Sequence, residues 1–254
     1  MEQSQPVTTE INVMKIENGV KQNKSILVPI PMEEPLQLKL NDMEFITLLA
    51  TPVDVKELFV GFLFTEGIIK KWEDVLCLDE CEKWVNIEAE AETINLKSTI
   101  ITSGCGRGIT FQRMIDTHIT SSIQFGCELI SSLMKKFLAL SKMSGLHAAA
   151  LADSNGKILI LKEDIGRHNA IDKVLGAGLI KKIDFEDKLL LTTGRLSSEM
   201  VLKAAKAKIP VVIARSYATN LAIKWASIAG ITTIGQVKAS SMSVYSQQER
   251  IVSD

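Results

Sequence analysis

Cys105 stands in ITSGCGRGITF (residues 101–111), flanked by Gly104 and Gly106 and followed by Arg107 and Gly108. Glycines let backbone reach positive φ and approach a ligand closely. A cation two residues away favours the thiolate, the nucleophilic form of cysteine. A thiolate on such a loop can attack a sulfur donor, hold a persulfide and deliver it, and it needs no general base once formed. The bland alternative is an incidental loop thiol. The other cysteines make no comparable setting. Cys77 and Cys81 have C-x3-C spacing, with no second pair or nearby histidine to complete four zinc ligands, so they read as core or surface thiols. Cys127 reads as packing. The H-x-E with P-C-x-x-C pattern of zinc deaminases is missing, and no metal site is expected.

A second set of chemistry-bearing residues lies in the C-terminal half. Apolar runs at about 157–162, 188–192, 210–215 and 231–235 alternate with helical patterns at about 169–179, 198–208 and 219–229, the last closed by Gly230. HAAALADSNGKILILKED is a hairpin turning at Asn155-Gly156. The alternation predicts a mostly parallel sheet, with residues 147–152 as one antiparallel edge strand. Ligands of such sheets bind beyond the carboxyl ends of the strands. The segments there are EDIGRHN, TTGRLSSE, RSYATN and GQVKASS. They contribute the cations Arg167, Arg195, Arg215 and Lys238. Their donors are His168, Ser197, Ser198, Ser216, Thr219 and Ser240, and Gly166 and Gly194 bare their amides. Three segments lead into helix N-termini, which favour anions, and arginine matches phosphate oxygens in pairs. A phosphate-bearing ligand is expected. Plainer readings stand beside it. Ser197, Ser198 and Thr219 can be ordinary caps, Asp164 and Asp172 can pair with Arg167 or Lys173, and His168 can be the partner of an acid. His147, ahead of an apolar run, reads as a hydrogen-bonded, partly buried histidine.

Elements of the first half must place the Cys105 loop. Residues 1–24 are polar and are expected to be poorly ordered. Residues 35–50 form a hairpin turning at Asn41-Asp42. In TPVDVKELFVGFLFTEGII, Thr51 can cap a helix with Pro52 at its first position, Asp54 where a capping box puts an acid and Gly67 as its stop. Residues 74–101 hold two or three strands. Residues 117–143 read as one long bridging helix, because Ile119, Ile123, Ile130, Leu133, Met134, Phe137 and Leu138 recur at helical spacing.

The chain has 254 residues, 46% hydrophobic and 23% charged, with formal net charge −1. That length buries a real core. The balance of charge argues against nucleic acid or an anionic membrane as partner. No apolar run approaches the roughly 20 residues that span a bilayer, and the start, MEQSQPVTTE, carries no apolar stretch. A cytoplasmic protein with reduced thiols is expected. The division predicted is a flexible 1–24, an α+β domain over 25–116, a linking helix over 117–143 and an α/β domain over 144–254.

GFLFTEGII (61–69), TSGCG (102–106), SGLHAAAL (144–151), EDIGRHNAIDKVLG (163–176), GRLSSEMVLKAAKAKIPVV (194–212) and YSQQERI (245–251) resemble the FdhD/NarQ family of formate dehydrogenase accessory sulfur carriers, from about residue 25 to the end. The resemblance implies a cytidine deaminase-like mixed sheet with helices on both faces, a smaller β-rich N-terminal domain and a homodimer. It implies sulfur taken from a cysteine desulfurase as a persulfide on Cys105 and passed to the molybdenum cofactor, a bis-molybdopterin guanine dinucleotide, before insertion into formate dehydrogenase. It assigns cofactor binding to Gln236, Val237, Lys238, Ala239, Ser240 and Ser241, and the basic edge adds Arg167, His168, Gly194, Arg195, Arg215 and Ser216. Many members carry a second cysteine three residues after the first, where this chain has Gly108. That departure keeps a second reading open, a cofactor-binding chaperone that handles no sulfur.

Overall fold

The computed structural model describes residues 8–17, 20–90, 100–101, 107–108, 118–141 and 145–253. Residues 8–17 and 20–24, expected in a poorly ordered arm, are instead strand. β1 (Thr8–Glu17) and β2 (Val20–Pro31) form an antiparallel hairpin. β-Branched Ile11 and Val28 stand opposite each other in its register, the kind of cross-strand pair that supports a hairpin.

β3 (Glu34–Leu40) and β4 (Met43–Ala50) turn at Asn41-Asp42, both with positive φ, as a tight hairpin turn requires. α1 (Val55–Thr65) follows, then β5 (Val75–Cys81) and β6 (Trp84–Ala89), closing a sheet of order β4-β3-β6-β5. The start of α1 differs from expectation. Asp54 is its N-cap, in the left-handed region and making no side-chain cap bond, and Thr51 lies outside the helix, fully buried. Gly67, at φ 75, ends the segment as expected. α1 is buried from Leu58 through Thr65, so it lies inside the molecule with no wet face. The short pair β7 (Ile100–Ile101) and β8 (Arg107–Gly108) follows.

The long helix predicted over 117–143 is shorter. β9 (Phe125–Gly126) precedes α2 (Cys127–Leu140), and residues 118–124 are neither helix nor strand. Arg250 explains the difference. Its guanidinium donates to the carbonyls of Ser121, Gly230 and Ile119, and the Ile119 N–H donates to Ala229 O. Tertiary partners thus hold out of a helix a stretch whose apolar spacing alone suits one.

The C-terminal sheet is built from β10 (His147–Ala152), β11 (Ile158–Asp164), β12 (Leu189–Thr192), β13 (Val211–Ala214), β14 (Thr232–Gly235) and β15 (Ser243–Ser246) in the order β11-β10-β12-β13-β14-β15. Only β12/β13 and β13/β14 pair in parallel, so "mostly parallel" is corrected to mixed. β10 is an interior strand and β11 the edge. The sequence HAAALA suits that place. Its alternate residues Ala148, Ala150 and Ala152 face one core, Ala149 and Leu151 the other, and all are buried. α3 (Arg167–Ile180), α4 (Ser198–Lys206) and α5 (Asn220–Ala229) cover one face and α2 the other. β16 (Ile251–Val252) pairs with β9.

One continuous core joins Leu36, Leu38 and Ile87 of the N-terminal sheet, through α1, α3 and α4, to Leu190 and Val212 of the C-terminal sheet. At its centre α1 and α3 touch backbone to backbone. A Cβ at Gly61 would collide with the carbonyl of Asp172, and one at Gly176 with the carbonyl of Glu57.

Candidate functional site

β11, β12, β13 and β14 run in one direction and β10 and β15 in the other, so the four predicted segments do emerge at one edge. His147, opposite Asp164 in the β10/β11 register, lies at the same edge. Ladder-like bonds continue past the strand ends. Arg215 N donates to Thr192 O, Leu196 N to Tyr217 O, Thr219 N to Leu196 O and Gln236 N to Ser216 O. The loops are thereby held against one another and present their side chains on fixed backbone.

The beginnings of α3 and α4 converge there. Gly166 and Ser197 occupy the two N-cap positions and neither makes a side-chain cap bond. Ser197 instead lies 3.2 Å from His168 Nε2, which is also 3.0 Å from Glu199 Oε2. A carboxylate only accepts, so Nε2 carries the hydrogen of this pair. Thr219 does cap α5, accepting from Ala222 N at 3.2 Å. Uncapped N-termini offer N–H groups and positive dipole ends to an anion. Arg167 adds charge. Its Nε is buried and has no hydrogen-bond partner among the described residues. Its side chain runs along Gly194, where a Cβ would stand 3.1 Å from Arg167 Cβ. Burial, together with the nearby Arg167 and His168 charges, pushes the His147 pKa below its usual value, while Asp164 opposes that shift.

The remaining expected ligands are spread differently. Arg195, Arg215, Lys238, Ala239, Ser240 and Ser241 are exposed, and Ser216 is half-buried. Val237 buries its side chain in the core beside α2, so that side chain is packing. Gln236 has φ 54 and donates to Tyr245 Oη and Ser243 Oγ. The two acids pair with lysines: Asp164 with Lys173 and Asp172 with Lys203, each at 2.6 Å. Cys105, with Gly104 and Gly106, lies outside the described residues. Cys77 and Cys81 are exposed on β5, and Cys127 is half-buried at the start of α2. Among the described residues no group of three or more His, Cys, Asp or Glu could hold a metal, and no helix is long and apolar enough to cross a membrane.

The FdhD/NarQ family model matches residues 31–252. This chain belongs to that family. It is similar to the sulfur carrier protein FdhD of Bacillus subtilis (strain 168), 39% identical over 233 residues, covering 86% of this chain and 88% of that protein. The Bacillus pumilus (strain SAFR-032) protein of the same name is 35% identical over the same shares. A crystal structure described as a formate dehydrogenase accessory protein, from Desulfotalea psychrophila, matches with TM-score 0.79 and 26% identity, over 97% of this chain and 100% of that one.

Two residues of the candidate site, Glu199 and Thr51, were not among the expected ligands. Glu199 was legible only as an acid in a helix's first turn. Thr51 read as a helix cap, yet its main-chain and side-chain bonds go to Asp164 and Ile165 at the site's floor. Sequence distance, more than a hundred residues, hides that pairing.

Proposed function

We propose that this chain is a sulfur carrier for formate dehydrogenase, with Cys105 as the thiol that accepts sulfur from a cysteine desulfurase. The α3/α4 edge holds the guanine dinucleotide of the molybdenum cofactor by its phosphates while the sulfur is delivered. Family membership and the names of the relatives support the carrier role. The observation that carries the ligand reading is the Arg167–His168 corner, where two helix N-termini without side-chain caps meet a cation whose buried Nε has no described partner.

The corner fits a phosphate on balance of terms. Each hydrogen bond from Arg167 or a helix N–H to an anionic oxygen contributes about 1.5–3 kcal/mol. The Glu199 carboxylate opposes a phosphate, but His168 already engages it. Exposed Arg195, Arg215 and Lys238 add a solvent-screened attraction that guides approach more than it holds. In the loading step the Cys105 thiolate attacks the terminal sulfur of the donor's persulfide. An S–S bond forms at Cys105 as the donor's S–S bond breaks, the donor cysteine leaves as thiolate, and nothing is oxidised or reduced overall. The reading extends to a homodimer in the cytoplasm, to a cytidine deaminase-like C-terminal domain over 144–254 and to an N-terminal domain over 25–116. The sheet order and the three helices on one face support the deaminase-like description.

Intact-protein mass spectrometry after incubation with a cysteine desulfurase and cysteine tests the carrier role. Wild type should gain about 32 Da, removable by reductant, and Cys105→Ala should not. Wild type left unmodified, beside a desulfurase active on another acceptor, would favour the cofactor-binding chaperone that handles no sulfur. Equal gain on Cys105→Ala would move the carrier role to another thiol, with exposed Cys77 and Cys81 first in line.

A further inference from the structure

Beneath the Arg167–His168 corner lies a buried carboxylate whose two oxygens do different jobs. Asp164 Oδ1 accepts from Gly166 N at 2.8 Å and from Asn169 Nδ2 at 2.9 Å, bracketing residues 167 and 168 on both sides. Oδ2 accepts from Thr51 N at 3.1 Å and from Lys173 Nζ at 2.6 Å. Thr51 reaches the same loop a second time. Its Oγ1 accepts from Ile165 N at 3.1 Å, and its carbonyl takes a further bond from Lys173 Nζ at 3.0 Å. Asn169 Nδ2 also donates to Leu49 O. Asp164, Lys173 and Thr51 are fully buried, so the bonds among these three are not exchanged readily for water.

We infer that Asp164 and Thr51 are positioning residues for the anion-binding edge, so that the β4–α1 connection of the N-terminal sheet sets the affinity of a site on the C-terminal sheet. The inference rests on the proposed phosphate reading of that edge. Its physical basis is pre-organisation. Arg167 and the first N–H groups of α3 are held in place before a ligand arrives, and a loop that must order on binding loses affinity by the cost of ordering. Thr51 belongs to the polypeptide that continues toward Cys105, so the half of the chain bearing the thiol also supports the ligand edge.

A second cluster of the same chemistry separates positioning from plain stability. Thr65 Oγ1 donates to Asp172 Oδ1, and Lys203 Nζ donates to both, again joining the N-terminal segment to α3 and α4, but at the helices' buried interior and away from the edge loops. Thr51→Val, Thr51→Ser and Thr65→Val are compared by calorimetric titration with guanosine diphosphate and by melting temperature. Thr51→Val deprives the Ile165 N–H of its acceptor and should weaken the nucleotide about tenfold, the factor that 1.4 kcal/mol represents. Thr51→Ser keeps the hydroxyl and should stay within about twofold of wild type, well under that 1.4 kcal/mol step. Thr65→Val should melt lower yet bind like wild type. If Thr51→Val does not fold, Asn169→Ala, which removes the bridge between Leu49 O and Asp164 Oδ1, carries the same expectation. Wild-type affinity in Thr51→Val, or losses in all variants that follow their melting temperatures, overturns the positioning role alone. A wild type that binds no guanosine diphosphate overturns the ligand reading and this inference with it.

Discussion

His147 and His168 stand at one edge of the sheet, yet their surroundings ask different things of them. His168 shares its Nε2 hydrogen between Glu199 and Ser197. His147 is held neutral by burial, with the charges of Arg167 and His168 adding to the effect. Its folded-state pKa lies below the unfolded value of about 6.5, so as pH falls past that value the unfolded chain takes up a proton that the folded chain refuses. Stability should therefore decline as pH falls from about 7 toward 5. His147→Gln should flatten that decline, measured by urea unfolding across the range. An unchanged slope would assign the acid sensitivity to other groups. Sequence reasoning found both histidines because chain order alone puts them beside strand ends. An acid partner for His168 and partial burial of His147 were legible as well, but not which acid, because Glu199 is thirty-one residues from His168 and is brought to it by the α3/α4 packing.

At the scale of elements, the α1–α3 crossing depends on two missing side chains. Gly61 and Gly176 face the partner helix's carbonyls at distances no Cβ tolerates. Gly176→Ala should drive the helices apart and lower stability by about 1–3 kcal/mol or more, the usual cost of overpacking. That outweighs the helix-propensity gain of under about 1 kcal/mol that alanine brings. Chemical denaturation decides the sign, and a stabilised variant would mean that the crossing relaxes freely. Two motifs that resemble the family, GFLFTEGII and EDIGRHNAIDKVLG, meet at this crossing. Much of what makes them distinctive is therefore packing. Hairpin turns at Asn41-Asp42 and Asn155-Gly156 were legible because turn chemistry is local. The 117–143 helix was misread because apolar spacing is ambiguous when Arg250 can claim the carbonyls of Ile119 and Ser121 instead.

Across the whole molecule, buried ion pairs and one shared core unite the two sheets. Lys203 lies 2.6 Å from Asp172, almost fully buried, with Thr65 Oγ1 as a common partner. Lys203→Met should cost about 3–5 kcal/mol by stranding the Asp172 carboxylate. Adding Asp172→Asn should recover a large part of that loss, because the stranded charge, more than the absent attraction, dominates it. Equilibrium unfolding of the single and double variants reads both numbers. Equal loss in the double variant would show that shape, not charge, is what the pair supplies. Chain order alone settles that strands alternate with helices and that Arg167, His168, Arg195 and Arg215 follow strand ends, because periodicity and turn residues are local properties. Tertiary packing decides that β10 is interior, that Val237 is core, and that Thr51 lies beneath the Arg167 corner. Those choices depend on which distant surfaces meet, and burial assigns each polar group the partner it finds only there.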